Sequence, residues 1–162
     1  MLHTVALNSS HKKNLFECEE PSLENYLRKQ AGQDVKRQVA ACFVLEREDG
    51  AIKGYYTLSA ERVDRTLIPE SLQKKLPYKN LPVTLLGRLA RDTSYKGKAI
   101  GELLLADALR RAYQASSSIG AWAVVTDPIN EKVRAFYEGF GFISLENGRM
   151  FIPMETIKAS FP

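Results

Sequence analysis

Six residues, Lys96-Gly97-Lys98-Ala99-Ile100-Gly101, carry the clearest chemistry in the chain. They lie between an apolar run, Val83 to Leu89, and a strongly helix-forming run, Glu102 to Ala112. The order strand, glycine loop, helix presents unpaired backbone N–H groups and the positive end of a helix dipole to an anion. Lys96 and Lys98 add charge. The group that fits such a loop is a pyrophosphate, and the loop reads as the pyrophosphate cradle of a coenzyme. The rest of the chain must then build a second substrate site.

The surrounding elements follow from pattern. Residues 3 to 7 form a short strand. A helix begins near Pro21-Ser22, since Pro suits a first helical turn and Ser a cap. Leu23, Tyr26 and Leu27 share one face of it. The basic stretch Gln33 to Gln38 reads as a solvated helix or loop, or as part of a surface that touches phosphates. Val39 to Glu46 and Ile52 to Ser59 are a hairpin about Glu48-Asp49-Gly50. Glu61 to Leu81, polar and carrying Pro69 and Pro77, has the length of a functional loop with one helical turn at Pro69 to Lys74. On the helix after the glycine loop, Leu103, Leu104, Ala106, Leu109 and Ala112 give an apolar face that burial alone explains.

Ala121 to Val125 reads as a buried strand parallel to 83–91, because a helix connects the two. Asp127-Pro128 opens the next helix, with Asp as cap, and that helix ends at Gly139. Phe142 to Leu145 and Met150 to Ile152 are strands about a turn at Glu146-Asn147-Gly148, and the tail packs loosely. The expected architecture is one α/β (α+β) domain over residues 1–162. It has a central mixed sheet of about six to seven strands with helices on both faces.

Composition excludes several classes. Hydrophobic content of 44% and charged content of 26% are those of a globular domain, and no long uncharged apolar run could span a membrane. The N-terminus lacks a signal-peptide layout. Cys18, Cys42, His3 and His11 do not complete a metal site, so the expectation is a reduced, cytoplasmic, metal-free protein. A net charge of +4 permits an anionic partner.

The segment NEKVRAFYEGFGF, residues 130–142, resembles the C-terminal signature of the GNAT superfamily of acyl-CoA N-acyltransferases. The loop Lys96 to Gly101 is similar to that superfamily's coenzyme loop, with Lys96 in place of a Gln or Arg and Ala99 in place of the first glycine. A narrower resemblance covers nearly the whole chain. FECEEPSLENYL, GYYTLSA, LPYKNLPVTLLGRLARD and FYEGFGF are similar to bacterial GNAT toxins of type II toxin–antitoxin modules. That resemblance implies an acetyl-CoA-dependent enzyme that acetylates the α-amine of aminoacyl-tRNA and blocks translation. It also implies a ribbon-helix-helix antitoxin and a homodimer.

Residue by residue, the resemblance implies the following. The central parallel strands, 83–91 and 121–125, splay apart to admit the coenzyme. Leu89, Ala90 and Arg91 pair sheet-like with its pantetheine amides and offer an N–H to the thioester oxygen. Lys96, Gly97, Lys98, Ala99, Ile100 and Gly101 hold its pyrophosphate, and Asn130 bonds it near the thiol end. Tyr137 is the general acid for the leaving thiolate; a thiol titrates near ~8.5 and a tyrosine near ~10. The structural alternative for Tyr137 is a ring packed in the core.

No base stands out: Glu61, Glu131 and Asp92 are equivalent as surface carboxylates. An α-amine, with a pKa of about 7.7 to 8.0, needs less help to lose its proton than a lysine does. Lys29, Lys36, Arg37 and Arg88 are the expected tRNA contacts, against the alternative of scattered solvating charge. Tyr55, Tyr56 and Tyr95 could stack on a base or pack in the core. Two rival functions remain at this point: the same chemistry on a protein N-terminus or small amine, and a non-catalytic acyl-CoA-binding module.

Overall fold

The structure is a computed structural model and describes residues 1–160. Its strands form one seven-stranded mixed sheet in the order β1-β2-β3-β4-β5-β7-β6. The strands are β1 Val5–Ala6, β2 Ala41–Glu46, β3 Ile52–Asp64, β4 Asn80–Arg91, β5 Ala123–Thr126, β6 Ile143–Ser144 and β7 Met150–Pro153. The helices are α1 Pro21–Asn25, α2 Ala31–Lys36, α3 Glu70–Gln73, α4 Ile100–Ala115, α5 Glu131–Gly139 and α6 Met154–Ser160. A π-helical turn, Tyr26–Gln30, joins α1 to α2.

Two compact units share these elements. The first comprises Met1–Ser59 with Gly87–Arg111, and the second Ala60–Leu86 with the chain from Ala112 onward. The first has a core of Phe16, Tyr26, Leu27, Cys42, Val44, Ile52, Tyr55 and Ala90. Tyr55 and Tyr56 are fully buried, which settles them as core residues and removes them as stacking platforms for a base. Burial and the absence of a charged neighbour that outweighs it push the Cys42 thiol up to about 12. In the second unit Val63, Ile68, Leu81, Val83, Ala123, Val125, Leu145 and Phe151 pack together.

The alternation of β2 and β3 produces the expected antiparallel hairpin, with Phe43 opposite Tyr56 and Val44 opposite Tyr55. β5 is parallel to β4, as expected from the connecting helix. That pairing covers Val83–Leu86 against Ala123–Thr126, and β4 continues to Arg91. The sheet hydrogen bonding between these strands therefore stops before Leu89, Ala90 and Arg91.

Several expectations need correction. Pro21 does open α1, but the cap is Glu20, and Ser22 instead donates its hydroxyl to the Glu20 carboxylate at 3.1 Å. The span 61–81 is not one loop. β3 runs on to Asp64 and β4 starts at Asn80, leaving a short turn and α3, the helical turn expected at Pro69 to Lys74, between them. The N-cap of α5 is Asn130, whose Oδ1 accepts from the Val133 N–H at 2.9 Å. Asp127 instead accepts from the Arg149 guanidinium at 2.8 Å. The tail through Ser160 is helix α6, anchored by buried Met154 and Ile157. On α4 the buried apolar positions are Leu104, Leu105, Ala108, Leu109 and Ala112, with Leu103 and Ala106 only half-buried.

Candidate active site

The glycine loop is held from both ends within the first unit. Asp92 closes β4: its carboxylate accepts from the Ser94 N–H, the Ser94 hydroxyl and the Glu17 N–H. Burial works to raise the Asp92 carboxyl, but those hydrogen bonds outweigh it and hold the group below the ordinary carboxylate range. A fully engaged Asp92 is a loop anchor, not a free base. At the other end α4 packs against β3 through Gly54. A Cβ there would lie 2.6 Å from Leu104 Cδ1 and 2.9 Å from the Ala90 carbonyl oxygen.

Between these anchors the backbone turns twice into the left-handed region, at Gly97 (φ +80) and at Ala99 (φ +57). A glycine tolerates that conformation, whereas an alanine is strained by it. The resemblance places a glycine at position 99, and the backbone keeps the glycine conformation although the side chain is alanine. Apart from its chain neighbours, no heavy atom lies within 4 Å of where a Gly97 Cβ would stand, so the loop is open there. The first-turn N–H groups of α4 lack intrahelical acceptors and carry the positive end of the dipole.

Cations surround this loop. Lys96 Nζ and Arg91 Nη2 lie 3.6 and 3.7 Å from the same Glu19 carboxylate oxygen. Arg91 Nε is buried with no hydrogen-bond partner among the described residues. Lys53 and Lys98 each place Nζ 5.6 Å from the Tyr95 ring centroid. An open left-handed loop, a helix start, an orphaned guanidinium N–H and several lysines are a donor set that fits a polyphosphate.

Arg88 lies on β4, and its guanidinium stacks 3.5 Å from the Tyr26 ring centroid. The Tyr26 hydroxyl donates to Asp34 at 2.7 Å, which fixes the ring. Burial and then the Asp34 hydrogen bond push the Tyr26 phenol well above its ordinary value. Asp34 is held below the usual carboxylate range by hydrogen bonds from Gln30 and Tyr26. Lys29 is exposed on the π-helical turn, and Lys36 and Arg37 are exposed at the end of α2. The fold thus brings the expected tRNA contacts onto one helical segment and the strand residue stacked against it. Tyr26 and Asp34 were not singled out from sequence; the one visible signal was the apolar face that Tyr26 shares with Leu23 and Leu27.

In the second unit Tyr137 is buried on α5, with Phe136 and Phe142 rings 5.5 and 5.1 Å away. Burial pushes its phenol up, and a side-chain hydrogen bond with Thr126 opposes that shift. The phenol is therefore protonated at neutral pH, the state an acid needs. Asn130 caps α5 with its Oδ1, which leaves its amide N–H groups for any other partner. The three carboxylates considered as bases remain unselected. Asp92 is engaged, Glu61 lies 3.6 Å from Arg149, and Glu131 is almost fully exposed beside Arg134.

Among the described residues no group of His, Cys, Asp and Glu is arranged to hold a metal ion, and no helix is long and apolar enough to cross a membrane. Comparison with known proteins agrees with the sheet architecture. The chain is 39% identical over 127 residues to the tRNA-acetylating toxin of Mycobacterium tuberculosis (strain ATCC 25618 / H37Rv), covering 78% of this chain and 75% of that protein. Its structure superposes on AtaT complexed with acetyl-methionyl-tRNAfMet with a TM-score of 0.92 and 30% identity, over 98% of each chain. It also matches a tyrosine-to-phenylalanine mutant of AtaT bound to the C-terminus of the antitoxin AtaR and acetyl-CoA. That match has a TM-score of 0.85 and 28% identity, over 98% of this chain and 96% of that one. The acetyltransferase (GNAT) family model matches residues 6–142, and the chain belongs to the GNAT acetyltransferase family.

Proposed function

We propose that this chain is a toxin that transfers the acetyl group of acetyl-CoA to the α-amine of an aminoacyl-tRNA and so inhibits translation. The acyltransferase chemistry follows from the family, and the acceptor from the 39% identity to a tRNA-acetylating toxin, which is the observation that carries the proposal. The proposal treats residues 1–162 as one catalytic domain, acting in the cytoplasm as a homodimer and neutralised by a ribbon-helix-helix antitoxin. The antitoxin-bound AtaT relative supports an antitoxin partner.

The roles divide by residue. Lys96 to Gly101 hold the pyrophosphate, and the backbone of Leu89, Ala90 and Arg91 meets the pantetheine amides. Support comes from the open, left-handed loop and from the β4 edge that continues past its last pairing with β5. Asn130 meets the thiol end through its amide N–H groups. Lys29, Lys36, Arg37 and Arg88 meet the tRNA. The α-amine attacks the thioester carbonyl, the carbon–sulfur bond breaks, and Tyr137 gives its proton to the departing thiolate. The nitrogen's surplus proton leaves to water, and water restores the phenol. A positioned acid of this kind contributes roughly 10² to 10⁴-fold.

The test is labelled acetyl transfer to a pool of charged tRNA, comparing wild type with Tyr137→Phe. Label on the aminoacyl group, lost in the variant, is the expected result. Binding of acetyl-CoA with no label on any tRNA would overturn the acceptor assignment and direct attention to protein N-termini and small amines.

A further inference from the structure

Gly32 stands inside one continuous helical run, Pro21 to Lys36, made of α1, the π-helical turn and α2. Glycine weakens a helix interior relative to alanine, so its presence there needs a reason. Conformation is not the reason. Among the described residues the glycines with positive φ are Gly50, Gly97, Gly141 and Gly148, and Gly32 keeps helical geometry. Space is the reason: a Cβ on Gly32 would lie 3.2 Å from the Lys13 Nζ. The helix surface is cleared at this point for an ammonium group. Lys13 opens the short turn Lys13–Leu15, which packs against the π-helical turn. Arg28 pins that turn by donating to the Phe16 carbonyl oxygen, from Nη2 at 2.7 Å and from Nε at 3.1 Å. Lys13 is half-buried, and among the described residues its ammonium has no ion pair and no hydrogen bond. A cavity of about 400 Å³ lies beside it, lined by His11, Lys12, Lys13, Asn14 and Leu15. His11 is already engaged, with Nδ1 accepting from the Asn8 N–H at 3.0 Å and Nε2 donating to Glu46 at 2.6 Å. The lysines are the charged groups on that wall left for a ligand.

We infer that Lys13 is a tRNA-phosphate contact, seated against α2 by the glycine at position 32. The inference rests on tRNA being the acceptor, met by Lys29, Lys36, Arg37 and Arg88. Lys36 is four residues after Gly32, so it lies on the same face of α2 one turn further on. It too has no ion pair among the described residues. Lys29 belongs to the π-helical turn against which Lys13–Leu15 packs. The ammonium at Gly32 thus extends the proposed basic face from the helix to the segment before it. Single cations repeated along one helical face suit a backbone of evenly repeated charge. A half-buried cation without a counterion costs stability in the free protein, and an RNA phosphate supplies the missing charge. Seating the long stem beforehand also reduces the side-chain entropy lost when the phosphate arrives.

Filter binding of charged tRNA over a salt series compares wild type, Lys13→Met, Gly32→Gln and the Lys13→Met/Gly32→Gln pair. Methionine keeps the apolar stem and removes the charge. Lys13→Met should weaken tRNA binding roughly fivefold at about 0.15 M salt, the share of one phosphate contact. Its log–log salt slope should be shallower by about one unit. Gly32→Gln fills the seat with a good helix former, so its thermal midpoint should not fall, while tRNA affinity drops by a similar factor. In the Lys13→Met background Gly32→Gln should cost nothing further, because the two changes remove one contact. An unchanged slope in Lys13→Met, even with weaker binding, would mark a packing effect and overturn the contact. A further loss from Gly32→Gln in the Lys13→Met background would overturn the seat. If circular dichroism shows Gly32→Gln unfolded, the slope of Lys13→Met alone decides. A wild type that binds no charged tRNA would instead remove tRNA as the acceptor.

Discussion

The Arg88 guanidinium lies 3.5 Å from the centroid of the Tyr26 ring, and among the described residues that guanidinium has no ion pair or hydrogen bond. One face of the cation is occupied by the ring while its N–H edge is open. An anionic partner would find that edge already oriented, so less side-chain entropy is lost on binding. Arg88→Ala should lower kcat/KM for charged tRNA by roughly tenfold and reduce the salt dependence of tRNA binding by about one unit of slope. Arg88→Lys should recover little, because an ammonium lacks the planar fork. Filter binding over a salt series is the measurement. An unchanged slope would remove Arg88 from the RNA contact.

Asp107 is 3% exposed and gathers the His3 N–H, the Thr4 hydroxyl and the Tyr56 hydroxyl. Arg111 completes the cluster by donating to Tyr56 and Thr4. Burial acts to raise the Asp107 carboxyl, but the hydrogen bonds and Arg111 hold it below the ordinary range. A depressed folded value stabilises above the unfolded value of about 3.9 and is lost as pH falls through the folded one. Asp107→Asn should therefore cost about 2 kcal/mol at neutral pH. The gap in unfolding free energy between wild type and variant should narrow below about pH 4. Denaturant unfolding at pH 7 and pH 3 checks both parts.

Ala99 carries left-handed strain at φ +57 on an exposed loop. Ala99→Gly should raise stability by about 0.5 to 1 kcal/mol, the strain relieved less the added freedom of the unfolded glycine. A thermal midpoint that falls instead would show that the alanine methyl makes a contact worth more than its strain.

Gly54 has the opposite sign. Gly54→Ala must displace both the Leu104 side chain and the Ala90 carbonyl, and overpacking of this kind costs roughly 1 to 3 kcal/mol. Because both neighbours frame the glycine loop, acetyl-CoA affinity measured by calorimetry should weaken as well. Unchanged affinity in a destabilised variant would separate the packing from the loop.

The strand, glycine loop and α4 were legible because apolar runs, glycines and helix formers follow one another locally. The parallel β4–β5 pair followed from handedness and a connecting helix. What escaped was decided by distant partners. Asp127 has the residue type of a cap, but Arg149 claims its carboxylate and the cap passes to Asn130. The polar run Glu61 to Asp64 reads as loop, yet Val63 is buried and its neighbours are not, which is strand alternation with charge on one face. The α6 tail hides in a short segment in which only Met154 and Ile157 mark the inner side. In the candidate site, Tyr137 and the loop were visible, whereas the Tyr26–Asp34 support of Arg88 depends on contacts that no local spacing encodes. Asp107 was missed because it lies within an apolar helical face and its partners lie at the other end of the sequence.

That distance bears on synthesis. His3 donates to a carboxylate 104 residues further along the chain. On a ribosome the first residues emerge long before Asp107 exists, and they wait without their partner while most of the chain is made. Closing so long a loop late slows folding.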